Sequence, residues 1–111
     1  LVPDAQNRIR QLRNQLATKE VMIAQNYVKW KYYTSAKLYA EGVLKQYSDT
    51  DAALEARFVV AQVKHKIGAH DEALDELTLL SGQDLPAKLK KKVIEETGKV
   101  KKTLAKLHAE K

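Results

Sequence analysis

The chain has 111 residues, a net charge of +6, two prolines, four glycines and no cysteine. That length supports one domain, and the missing thiols exclude disulfides, thiolate metal sites and a cysteine nucleophile. No apolar run approaches the ~20 residues of a membrane-spanning helix. The first residue is Leu1, not methionine, as expected of a processed or excised piece.

Taken in order, Pro3-Asp4 suits a helix start, since proline fits a first turn and an early carboxylate meets the positive end of the dipole. Ile9, Leu12, Leu16, Ile23 and Tyr27 follow at mostly three- and four-residue spacing, predicting one apolar side on a long helix over 4–31, either unbroken or bent near Thr18. Arg8, Arg10 and Arg13 fall on its polar side. Tyr32-Tyr33-Thr34 reads as a turn, with Thr34 or Ser35 as the cap of a second helix over 33–47. Ala36, Tyr39, Val43, Leu44 and Tyr47 stripe that helix, and Ser48-Asp49-Thr50 closes it. Ala53, Ala56, Val60, Ala61 and Val63 predict a third helix over 51–67, stopped by Gly68. A fourth, over 70–80, carries Ala73, Leu74, Leu77 and Leu80 and ends at Ser81-Gly82. Leu85-Pro86 then launches a last helix, on which Leu89, Val93, Val100, Leu104 and Leu107 keep near-heptad spacing.

The stretch from Ala24 to Thr50 organises the rest. It holds six of the seven aromatics (Tyr27, Trp30, Tyr32, Tyr33, Tyr39 and Tyr47), with Phe58 following. Small residues at Ala24 and Ala36 let antiparallel helices approach closely while larger side chains fill the remaining space. Thirty-seven residues on, Ala24 maps to Ala61, Ala36 to Ala73, Ala40 to Leu77 and Val43 to Leu80. Leu38 and Leu44 fall on Asp75 and Ser81, so one helical hairpin is written twice with the second copy more degenerate, which is the mark of a stacked repeat.

Charge divides the chain differently. Residues 1–84 hold eleven basic and eleven acidic side chains, whereas residues 85–111 hold nine lysines against three glutamates. The expected organisation is a repeat domain over 1–84 followed by a basic amphipathic helix over 85–111.

Ala36, Leu38, Tyr39, Val43, Leu44, Tyr47 and the Ser48-Asp49-Thr50 turn resemble the second half of a tetratricopeptide repeat. Over residues 5–80 the chain is similar to the C-terminal repeats of the BamD family, lipoproteins of the outer-membrane β-barrel assembly machinery. The motifs carrying that resemblance are Arg13 to Ala17, Tyr27, and Gly42-Val43-Leu44-Lys45-Gln46-Tyr47-Ser48-Asp49-Thr50, with Ser48 where proline is usual. The resemblance implies an all-α, right-handed solenoid piece of two hairpins plus the basic helix. It implies a scaffold at the periplasmic face of the bacterial outer membrane, held there by a lipid anchor outside this piece. Implied partners are the barrel-inserting subunit, other subunits of the machinery and unfolded outer-membrane proteins; no cofactor is implied.

Several residues become candidates for partner contact. Lys45 occupies the basic position of the Gly-Val-Leu-Lys run, and its bland alternative is a pair with Glu41 one turn earlier. Gln25, Val28 and Lys29, then Gln62, His65 and Lys66, would face the inside of the hairpins as a peptide groove. Tyr27, Tyr33 and Tyr39 read as core. Trp30 and Tyr32, at the turn, can keep one end wet and serve as an exposed anchor. Catalysis finds no support: His65, His70 and His108 look isolated, and the first two do not share a helical face. Asp71, Glu72, Asp75 and Glu76 read as a dipole-favoured helix start without the spacing of a calcium loop. The lysines of the last helix offer a rival reading as a binder of nucleic acid or an anionic membrane. No aromatic is interleaved with them, which disfavours nucleic acid and favours a capping or docking helix.

Overall fold

The computed structural model describes residues 2–110, which form five helices and no strand. These are α1 (Val2–Lys29), α2 (Tyr33–Gln46), α3 (Ala52–Lys66), α4 (His70–Ser81) and α5 (Ala87–Ala109). Each helix packs antiparallel on the next, and α3 also contacts α1 and α5. The odd helices therefore run parallel along one side and the even helices along the other.

Alanines set the spacing. Ala17, Ala24, Ala36, Ala40, Ala56, Ala61 and Ala73 are all fully buried. The first core gathers Val21, Ala24, Ala36, Ala40 and Val43 with Val59, Val60 and Val63 of α3, roofed by Tyr27, Tyr33, Tyr39 and Tyr47. The second gathers Phe58, Ala61, Ala73, Leu77 and Leu80 with Leu89, Val93 and Val100 of α5. The thirty-seven-residue correspondence thus joins core to core, with Val21 matched by Phe58 and Val43 by Leu80.

The same offset reaches α5. Ala52, Ala56, Val59 and Val63 of α3 map onto Leu89, Val93, Glu96 and Val100, and all eight are buried. By register α5 is the first helix of a third unit, seated on α3 and α4 as α3 is seated on α1 and α2. Glu96 stands where α3 has Val59, which interrupts the apolar seam read from the sequence. Leu107, expected on that seam, is 41% exposed because the helix has by then run past α4.

Each turn has its own chemistry. After α3, Gly68 takes φ 95°, Gly68 N–H donates to the His65 carbonyl (3.3 Å) and Ala69 N–H to that of Lys64 (2.8 Å). This is a Schellman closure with glycine at the left-handed position. It sets His65 against His70, Nδ1 to Nδ1 at 2.9 Å, so the two histidines are paired across the turn rather than isolated. After α1 the same closure forms with lysine in glycine's place. Lys31 has φ 66°, its N–H donates to the Val28 carbonyl (3.0 Å), and Tyr32 N–H donates to that of Tyr27 (2.8 Å). The ring of Tyr32 meets Tyr27 edge-on at 6.3 Å, the apolar contact typical of this motif. The chain consequently reverses at Trp30–Tyr32, and α2 begins at Tyr33. Thr34 and Ser35, expected to cap α2, lie inside its first turn, and no side chain caps it.

Between α2 and α3, the Arg13 guanidinium donates to Asp49 (Nη2···Oδ1 2.7 Å, Nε···Oδ2 3.3 Å) and to the Gln46 carbonyl (2.7 Å). It also lies over the Tyr47 ring, 5.3 Å from the centroid. Thr50 Oγ1 donates to the Tyr47 carbonyl at 2.6 Å. The Tyr-Ser-Asp-Thr turn is thereby tied to α1, which continues beyond α2. Ile9, Leu12 and Leu16, expected on the apolar side of α1, are exposed, because the α2–α3 turn meets that part of the helix on the Arg13 side.

Two outcomes follow from these turns. Lys31→Gly removes the left-handed penalty on a residue with a Cβ and should raise stability by about 1 kcal/mol in denaturant titration, whereas Gly68→Ala should lower it by a similar amount. Acid should act in two stages. Burial, partly offset by the Glu96 charge, holds His65 below its ordinary 6.5, so the folded form resists protonation and stability declines as pH falls through 6.5 towards that lower value. The hydrogen bond from Arg13 holds Asp49 below its usual 3.8, so that contribution persists above 3.8 and disappears as pH falls through the depressed value. Melting temperatures across pH for His65→Gln and Asp49→Asn should each lose one stage.

Candidate interaction surfaces

Three separate surfaces hold the residues that the sequence put forward. The first is a groove along the odd helices. Thr18, Val21, Met22, Gln25, Asp51, Ala52, Glu55, Pro86, Leu89 and Lys92 line one half of it. Gln25, Val28, Lys29, Phe58, Gln62, Lys92, Glu95, Glu96 and Lys99 line the other. Gln25 and Lys92 belong to both halves, so the two are continuous. At the junction Gln25 Nε2 donates to Glu55 Oε2 (3.3 Å), and Lys92 Nζ lies 3.9 Å from the same oxygen. The Glu55 carboxylate thus bridges α1 and α5 across α3. Exposed as it is, this pair adds little stability but fixes polar groups in the groove.

The groove brings together Gln25, Val28, Lys29 and Gln62 as the sequence placed them. It leaves out the other two: His65 is half-buried against His70, and Lys66 is exposed in the last turn of α3. Sequence reasoning missed Phe58, Lys92, Glu95, Glu96 and Lys99. The signal was present, because α5 repeats α3 in register, with Glu96 inside its buried stripe and Glu95 and Lys99 flanking it on the side turned to α1.

The second surface is the far end of α2. Lys45 is exposed in the last turn. Glu41 does not pair with it; its carboxylate lies 3.7 Å from Lys37 Nζ, the i,i+4 partner on the N-terminal side. Lys45 therefore carries its charge without an ion pair among the described residues.

The third surface is the α1–α2 turn. Trp30 and Tyr32 are 60% and 61% exposed, and Trp30 meets Tyr27 edge-on at 6.1 Å. α2 spans 14 residues, so this turn and Lys45 lie about 20 Å apart at opposite ends of one helix. They cannot belong to one compact contact.

None of the surfaces assembles a reactive constellation. Among the described residues there is no group of three or more histidine, aspartate or glutamate side chains able to hold a metal ion. The acidic start of α4 is engaged by Lys64, whose Nζ lies 4.0 Å from Glu72 and 3.5 Å from Glu76.

Comparison with known proteins returned one family. A family model described as outer membrane lipoprotein, YfiO, matches residues 2–79. No curated protein and no solved structure matches the chain. The match covers both hairpins, including the Arg13–Asp49 tie and both sets of buried alanines, and stops before α5. The chain belongs to the YfiO family of outer membrane lipoproteins.

Proposed function

We propose that this chain is a non-catalytic scaffold for protein–protein contact at the periplasmic face of the outer membrane. In this reading it is the C-terminal part of a BamD-like lipoprotein that docks on the barrel-inserting subunit during β-barrel assembly. Family membership supports the setting. The observation that carries the reading is the groove across α1, α3 and α5, where three parallel helices offer amide, ammonium and carboxylate groups around an apolar floor. Such a surface binds without transforming what it binds.

Two contacts are assigned. Gln25, Lys29 and Gln62, with Lys92 and Lys99, receive an extended segment of a partner along the groove. Lys45, on the outer side and free of Glu41, meets an acidic group of the barrel-inserting subunit's periplasmic domains. The unengaged charge makes Lys45 available to a partner, since no internal pair must first be broken.

Calorimetric titration with those periplasmic domains tests this. Lys45→Glu should weaken binding about tenfold or more, as expected when a charge pair at an interface becomes a repulsion. Gln25→Ala combined with Gln62→Ala should weaken it through the groove while circular dichroism stays unchanged. Wild-type affinity in both variants would refute the docking assignment.

A further inference from the structure

The ends of the stack are chemically unlike. Because α1, α3 and α5 run parallel, their C-terminal ends lie at one end of the molecule. Each carries an exposed apolar or aromatic side chain among lysines. Trp30 and Tyr32 flank Lys31, with Lys29 beside them; Ile67, 57% exposed, follows Lys66; Leu107, 41% exposed, follows Lys106 and lies beyond Lys101 and Lys102. None of these six lysines is in an ion pair among the described residues. At the other end the turns carry Asp49, Asp51 and Asp84, while the lysine end also holds Asp71 and Glu72 at the start of α4, Glu72 lying 4.0 Å from Lys64 Nζ.

Helix dipoles account for lysines near C-termini. They do not account for tryptophan and tyrosine left three-fifths exposed at a turn. They account still less for an apolar tip at each of three successive odd helices. The tips are spaced along an edge rather than gathered in a pocket, so they lack the buried centre on which protein hot spots depend. They line the side on which α1, α3 and α5 end, with Leu107 on the part of α5 that runs past α4. We infer that this lysine-flanked edge rests on an anionic phospholipid bilayer surface. The indole and phenol rings enter the headgroup layer, Ile67 and Leu107 reach below it, and the lysines face lipid phosphates.

The inference takes its biological setting from the membrane location in the proposed function, but its test needs no protein partner, so either can fail alone. Trp30 is the sole tryptophan, so its emission reports this edge directly. The full chain is mixed with phosphatidylcholine vesicles containing phosphatidylglycerol, and with vesicles of phosphatidylcholine alone. The expected result is a blue shift of Trp30 emission, and quenching by brominated lipid, with the anionic vesicles only, both diminishing at high salt. Lys101→Glu with Lys102→Glu and Lys106→Glu should weaken co-sedimentation about tenfold or more. Trp30→Ala should also weaken it, and Arg8→Glu with Arg10→Glu, at the far end of α1, should not. Unshifted Trp30 emission in the presence of anionic vesicles would overturn the inference. So would sedimentation unaffected by the lysine reversals, or equal retention on heparin or duplex DNA, which would mark a general polyanion binder.

Discussion

Close approach between helices, permitted by alanine, is the constraint from which the structure follows. Seven alanines have no exposed surface, and they occur where α1 meets α2, where α3 meets those two and where α3 meets α4. A larger side chain at any of them would hold two backbones apart and open the voids that Val21, Val43, Phe58 and Leu77 now fill. Packing at interior density leaves no slack to absorb such a change. The hairpins are therefore not two independent pieces. The first core borrows Val59, Val60 and Val63 from the second hairpin, and the second core borrows Leu89, Val93 and Val100 from α5.

That borrowing makes a surface. α3 is pinned between the hairpin before it and the one it opens, and α5 is seated on that second hairpin, so α1, α3 and α5 lie in parallel with a groove between them. α5 completes the groove as well as the core, because one helix presents Val93 inward and Lys92, Glu95 and Lys99 to the channel. The same parallel arrangement sorts the turns. Three C-terminal ends with lysine and exposed apolar tips face one way, beside the acidic start of α4, and the turns with Asp49, Asp51 and Asp84 face the other. Groove, outer α2 and tip edge are thus three consequences of one stacking rule, the groove and the tip edge meeting at Lys29.

Much of this was legible in the residues, and the exceptions have physical causes. The all-helical stack and its alanine seam could be read from spacing, because small residues recurring at a fixed offset are what close packing of successive hairpins requires. The α1–α2 turn reads two residues late in the sequence, since a lysine in the left-handed conformation leaves no glycine to mark it, and the capping hydroxyls of Thr34 and Ser35 were a false signal. Periodicity also overstated the buried face of α1: Ile9, Leu12 and Leu16 are spaced as core residues, but burial needs a neighbour as well as a pattern. The His65–His70 contact was hidden because helical-face arithmetic does not apply across a turn. At the candidate site, Gln25, Val28, Lys29 and Gln62 were visible from the hairpin repeat. Their counterparts on α5 are masked in the sequence, because Glu96 in place of valine interrupts the apolar stripe by which α5 repeats α3.

The seam itself can be tested at Ala61, buried between α3 and α4 and matched by Ala24 one unit earlier. Equilibrium unfolding should be compared for Ala61→Leu and for Ala105→Leu on the exposed side of α5. If alanine-limited approach governs the stack, Ala61→Leu should lose about 1–3 kcal/mol of stability and Ala105→Leu almost none. Equal stability of the two variants would contradict the account.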